Sequence, residues 1–420
     1  MELLYILLVV LAVTRLCGEL AERLGQAALL GEIVGGIALG IVIHQTSARF
    51  TVLGDATDSE AFSAITDLAI FFLMLLAGIE LKPRQLAKAS SKAVIIALGG
   101  FLVPLGAGFA LAWAFLPASE LKTAQSLFVA TALAITAIPV AVKILMDLGQ
   151  LDSKVGNLIV SAALFDDVFS LILLAVLLGV VSTGTIPSAA ELLAILGNVA
   201  IFFAVTFAIG MFVIPKIAHL VMRTRSAEFE FSAILLYALA YSYFAEYMGL
   251  HFILGAFVAG MFFNRTTVDA EIFDGISSKL SAVTSGFLAP IFFASIGMHL
   301  QIGALAEIPL FVILLVVVAA AGKFLGAGLP AYWLGANRRN ASAIGVAMSA
   351  RGAVELVIAD IALRAGVFSQ PDPPPPIVAN LFSAVVIVAV ATTLVAPLAL
   401  RRLLPARADS DDKGDEPKRE

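Results

Sequence analysis

Residues 155–181 read VGNLIVSAALFDDVFSLILLAVLLGVV, a long apolar run broken at its centre by Asp166 and Asp167. About 20 predominantly apolar residues suffice to cross the hydrocarbon core of a bilayer, so this stretch reads as a transmembrane helix. An ionised side chain inside such a helix costs at least about 2.5–3.5 kcal/mol, even on the mildest scale. No packing purpose accounts for two carboxylates side by side at that cost. An intramembrane carboxylate is by default a site for an ion or a proton.

Composition leads the same way. The chain has 420 residues, 60% of them hydrophobic and 14% charged, and its mean hydropathy is +1.01. Soluble domains carry about 25% charged residues, which excludes a water-soluble globule and predicts an all-α polytopic membrane protein. The net charge of −5 says little about partners, because much of it lies in Asp409–Glu420. That polar end, residues 405–420, is expected to be a disordered cytoplasmic tail. Cys17 is the single cysteine and falls in a span, so neither an internal disulfide nor redox chemistry is expected. Glu2 stands where a cleavable signal would have a basic start, and the first apolar run reads as the first span.

Hydropathy separates thirteen apolar segments, near residues 2–19, 26–44, 63–81, 92–117, 124–147, 155–182, 190–222, 228–248, 250–265, 280–301, 307–334, 341–366 and 377–404. With the N-terminus outside and the C-terminus in the cytoplasm, 21 lysines and arginines fall on the inner side. Only Arg49, Lys122 and Arg364 fall outside, while Lys323 and Arg351 lie within spans. Such an asymmetry follows the positive-inside rule, and a miscount by one helix would scramble it.

Thirteen helices divide as six, a linker and six, so equivalent helices of the two halves run in opposite directions, the inverted-repeat logic of secondary transporters. Corresponding spans are interrupted in the two halves. The fifth carries Thr136-Ala137-Ile138-Pro139 and the twelfth Ser349-Ala350-Arg351-Gly352. Proline removes a backbone donor and clashes with the preceding turn. Ser-Ala-Arg-Gly places a charge and a flexible residue mid-span. A simple kink is the plain alternative for either break; the pairing favours two unwound helices whose ends and free carbonyls face an ion.

Adjacent residues point about 100° apart on a helix, so Asp166 and Asp167 cannot face one partner. Lys323, mid-span in Ala320–Gly326, is the obvious neighbour for one of them. Each would hold the other charged, where alone a buried lysine tends to lose its proton and a buried carboxylate to gain one. A static cluster tying helices together is the bland reading, and the odd third charge argues against it. Arg351 and Glu355 have the spacing of a helical ion pair, which could steady the broken helix or take part in gating. Glu32, Glu80, Glu246, His251 and Asp360 are expected near interfaces or loop ends. Gly35, Gly36, Gly40, Gly255 and Gly260 suit close helix packing in lipid. The sequence shows no phosphate-cradling loop, metal-binding Cys/His cluster or nucleotide-binding domain.

Taken in order, these pieces resemble the monovalent cation/proton antiporters, specifically prokaryotic sodium/proton antiporters of the NapA type. The resemblance covers residues 5–404. It rests on Leu30–Gly36, Leu73–Leu81, Thr136–Pro139, Asp166-Asp167, Gly255–Gly260, Pro290–Phe293, Lys323 and Arg351–Leu356. It implies crossed discontinuous helices and a homodimer in the inner membrane. Scaffold and dimerisation helices would span about residues 1–90 and 228–303, a linker helix 190–222, and a mobile ion-transporting core 91–182 and 304–404. It further implies that Asp167 carries Na+ or H+ and that Asp166 pairs with Lys323. Asp166 and Thr136, the latter through its hydroxyl or carbonyl, are the other candidates for ion or proton binding, while Pro139, Arg351 and Glu355 are candidates for support of the broken helices. An aspartate pair with lysine goes with electrogenic exchange in that family. Ala137 departs from relatives that carry an acidic or hydroxyl residue there, which leaves Na+, Li+ and K+ open. The partners implied are a monovalent cation, a proton and the lipid bilayer, with no cofactor and no nucleic acid. An intramembrane aspartyl protease fits poorly, since such enzymes carry their aspartates on separate helices. A membrane sensor lacks a soluble sensory domain here.

Overall fold

The computed structural model of the chain describes residues 2–45, 59–80, 90–136, 145, 150, 153–183, 189–213, 216, 227–263, 268–300 and 303–404. All its regular elements among the described residues are helical. In chain order those of ten residues or more are α1 (Glu2–Arg23), α2 (Ala28–Gln45), α3 (Glu60–Glu80), α4 (Ser91–Phe115), α5 (Lys122–Ala134), α6 (Lys154–Thr183) and α7 (Ala189–Phe212). There follow α8 (Ala227–Tyr247), α9 (Phe252–Phe262), α10 (Ala270–His299), α11 (Pro309–Trp333), α12 (Arg338–Ala347), α13 (Ala353–Arg364) and α14 (Leu381–Leu403). Among the described residues seven helices, α1, α3, α4, α6, α10, α11 and α14, are long and apolar enough to cross a membrane. Pro139 and the rest of the Ala137–Pro139 interruption lie outside the described residues, as does the tail from residue 405.

Two boundaries differ from hydropathy in an informative way. The eighth and ninth segments, nearly continuous in sequence, are parted by a turn in which Gly249 takes φ +73°, a conformation open to glycine because it lacks a Cβ. Conversely, α10 begins at Ala270 rather than near Leu280, because the polar first turns (Glu271, Asp274, Lys279) still form helix. It continues through a π-helical turn at Thr284–Leu288.

Small residues set which helices touch. Lipid supplies no hydrophobic drive between helices, so close backbone approach through glycine takes its place. A methyl group on Gly36 or Gly297 would overlap a facing carbonyl where α2 meets α10, and Gly78 and Gly260 play the same part where α3 meets α9. Gly255 lies against the Tyr241 carbonyl of α8, and Gly99 and Gly326 seat α4 directly on α11. Gly322, beside the site lysine, faces Pro104 of α4.

These close pairings sort the described helices into two sets. One contains α1, α2, α3, α8, α9 and α10; the other contains α4, α5, α6, α11, α12, α13 and α14. The helix α7 touches both, through α6 and α9. Among the described residues the sets otherwise meet sparsely, chiefly where α3 passes α13. Outward faces of α1 and α11 are apolar and exposed (Leu4, Leu8, Leu16; Leu310, Ile313, Val317), as suits contact with lipid.

Candidate functional site

The helix α6 carries Asp166 and Asp167 into the centre of the second set. The Asp166 side chain is wholly buried, and Lys323 of α11 reaches it with Nζ 3.0 Å from Oδ1 and 2.9 Å from Oδ2. The same ammonium donates to Thr136 Oγ1 at 2.6 Å. Lys323 can be this deep because Gly322 and Gly326 let α11 lie against α4, and because its charge is met at once by a carboxylate and a hydroxyl. Asp167 is 8% exposed and lies within electrostatic reach of Lys323.

Thr136 stands just past the end of α5. Ile135 turns extended, with φ −73° and ψ 148°, so the helix stops in the middle of an apolar segment. The second interruption runs from Met348 to Gly352, between α12 and α13. The two breaks meet. Thr136 Oγ1 donates to the Met348 carbonyl at 3.0 Å. In the other direction Arg351 reaches across and donates Nη2 to the Leu133 carbonyl at 2.8 Å and Nη1 to the Ala132 carbonyl.

A helix C-terminus leaves carbonyls without internal donors and carries partial negative charge. The guanidinium satisfies both needs of α5 at once. It also lies 3.3 Å from Glu355 Oε2, with both side chains wholly buried. Thr393 of α14 donates to the Arg351 carbonyl at 3.1 Å, holding the break from a third helix.

Asp166, Asp167, Lys323, Thr136, Arg351 and Glu355 therefore share one buried polar region, while Pro139 is outside the described residues. Sequence reading missed the carbonyls of Ala132, Leu133 and Met348, which carry no side-chain signal. It also missed Thr393, whose only mark is a hydroxyl pair, Thr392-Thr393, within an apolar helix. Among the described residues, Asp167 adjoins two buried ion pairs, Asp166 with Lys323 and Glu355 with Arg351.

Comparison with known proteins follows that chemistry. The family described as sodium/hydrogen exchanger, transmembrane, matches residues 7–406. The chain belongs to that family. Relatives of this exchanger include the Na(+)/H(+)-K(+) antiporter GerN of Bacillus cereus, 28% identical over 97% of each chain. The probable Na(+)/H(+) antiporter GerT of the same organism is 30% identical over 87% of this chain and 92% of its own. A Na(+)/H(+) antiporter of Enterococcus hirae is 26% identical over 96% and 98%. The exchanger shares its fold with the sodium proton antiporter MjNhaP1 of Methanocaldococcus jannaschii, at a TM-score of 0.72 and 16% identity over 97% of this chain and 99% of the other. It is a membrane protein with transmembrane helices, from a family whose members exchange monovalent cations for protons.

Proposed function

We propose that this exchanger moves Na+, or Li+, against H+ by alternating access, electrogenically, with Asp167 as the carboxylate that takes cation or proton in turn. The observation that carries this reading is the placement of the aspartate pair where the two helix breaks meet. Lys323 is engaged by Asp166, and Arg351 by Glu355 and the end of α5. Asp167 stands beside these pairs, buried in the same region, where a cation or a proton would neutralise its charge.

A bare carboxylate is costly to carry through a low-dielectric barrier. If the core moves only when Asp167 is neutralised, cation and proton compete for one charge and leak is suppressed. Transmembrane gradients supply the drive, and no cofactor is needed. With an inward proton gradient, protons enter and sodium leaves.

In this reading the chain has thirteen spans, with six-helix inverted repeats and two crossed discontinuous helices. The N-terminus is outside, the C-terminus is cytoplasmic, and a homodimer sits in the inner membrane. The first helix set is the scaffold, the second the moving core and α7 the linker. The sparse contact between the two sets supports that division. Thr136, Arg351 and Glu355 steady the breaks, and Pro139 would belong to the same support. Exchange of K+ is the second reading, favoured by the name of the Bacillus cereus relative GerN.

Proteoliposomes with an acid interior and a fluorescent pH reporter test both. Addition of Na+ should dissipate the gradient in the native protein and leave it intact in Asp167→Asn. A response to K+ alone would transfer the reading to potassium. Dissipation that persists in folded Asp167→Asn would remove the proposed role of that carboxylate.

A further inference from the structure

Arg364, the last residue of α13, has all three of its guanidinium nitrogens engaged. Nη1 donates to Asp67 Oδ1 at 2.8 Å and to Ser63 Oγ at 2.6 Å, and Nη2 donates to Thr66 Oγ1 at 2.7 Å. Nε lies 2.7 Å from Asp360 Oδ2, one turn back on its own helix. Ser63, Thr66 and Asp67 occupy one face of the first turns of α3, at the spacing that places residues three and four apart side by side. Asp360 is buried, whereas Arg364 and Asp67 remain 33% and 50% exposed.

The placement matters more than the bond count. The helix α3 belongs to one packing set and α13 to the other, and among the described residues the two sets have few other contacts apart from those through α7. The contact between them is hydrophilic and partly exposed, and joins the last residue of α13 to the first turns of α3. Within each set, by contrast, several helix pairs pack glycine directly against backbone, as at Gly36 and Gly297 or Gly99 and Gly326. Apolar interdigitation resists separation, while an ion pair near water exchanges its partners for solvent at little cost.

We infer that Arg364, with Ser63, Thr66 and Asp67, forms a reversible latch that closes this end of the passage between scaffold and core in one state of the cycle and must release in the other. Asp360 holds the guanidinium to α13, so the arginine travels with the core and leaves α3 behind. The latch presupposes the moving core of the proposed function. It assigns Arg364 a positioning role at a distance from the ion site, without contact to the cargo.

Two experiments test it on the full-length protein in liposomes. Cys17→Ser removes the native thiol, and Ser63→Cys with Arg364→Cys supplies a pair that a short bis-thiosulfonate reagent can bridge reversibly. The bridged protein should lose at least about ten-fold in exchange rate and recover on reduction, while the reduced pair exchanges. Full exchange in the bridged state would overturn the latch, because the contact would then be static. Failure to bridge two thiols that each label would overturn it as well. Absence of exchange in the native protein would refute the antiport reading itself, a result distinct from these.

The second readout does not depend on transport. A single cysteine at Ser63→Cys should label about two- to five-fold faster when Arg364→Gln is added, the range expected for a partly exposed ion pair. Arg364→Lys should fall between. Equal labelling in all three would show that Arg364 does not hold this end closed.

Discussion

Lys323→Met provides the most direct probe of the buried site. The native ammonium makes three close contacts, two to Asp166 and one to Thr136, and is wholly buried together with its carboxylate. Methionine fills a similar volume, so packing is nearly conserved and the change is electrostatic. Thr136 keeps its bond to the Met348 carbonyl and loses little. Asp166 loses charge-assisted bonds to both of its oxygens. Removing one partner of a buried pair costs about 3–5 kcal/mol, because the other charge is left uncompensated. Asp166→Asn should cost a similar amount through the stranded ammonium. The double variant Asp166→Asn/Lys323→Met leaves no charge behind, so it should regain more than about half of the sum of the two single losses. Denaturant or thermal unfolding of the purified protein in one detergent, at one pH, gives all three values. Strict additivity would refute the reasoning, since the two residues would then not act on each other.

Arg351→Gln should cost about 3–5 kcal/mol by stranding buried Glu355 and uncapping α5, and Arg351→Lys should recover only part, because a single ammonium cannot span the two carbonyls and the carboxylate; unfolding measurements compare them. Gly99→Ala, whose new methyl would overlap the Gly326 carbonyl of α11, should cost about 1–3 kcal/mol, whereas Gly106→Ala on the same helix meets open space and should be neutral by the same assay. Glu32→Gln should change stability by less than about 1 kcal/mol, because its partner Arg15 is half exposed and the pair is screened; a loss as large as that of Lys323→Met would contradict this ranking of the two ion pairs. All of these variants carry their native cysteine and can be compared in one detergent.

Some of the site was legible before any fold was known. A charged residue in a long apolar run is visible because bilayer cost makes it exceptional, and that alone singled out Asp166, Asp167, Lys323 and Arg351. The pairing of Arg351 with Glu355 follows from helical spacing, and the two side chains do lie together. Lys323 and Asp166 were named as neighbours on charge logic and by resemblance, and their atoms are in contact. The reach of Arg351 to Ala132 and Leu133 was not legible. Main-chain carbonyls are present at every residue, and only the end of a helix makes two of them acceptors for a distant side chain. Asp360 and Arg364 looked like residues at a span's edge, and nothing in their own sequence points to Ser63, Thr66 and Asp67, some three hundred residues away.

By itself the sequence determined the class of solvent and which buried residues carry charge. Sustained apolar runs require helices in lipid, and carboxylates placed inside them require a positive partner, because unpaired charge is intolerable in a medium of low dielectric. It also determined where the helices could stop, at Thr136 and at Ser349–Gly352, since a charge or a helix-breaking residue inside a span leaves a local mark. Only the tertiary structure decided that those stops face one another, that Thr136 joins Lys323 to the Met348 carbonyl, and that Arg351 caps a helix from the other half of the chain. It also decided that Arg364 crosses from one packing set to the other. Such contacts depend on which glycine faces lie against which backbones, a property of the assembled helices that no single segment carries.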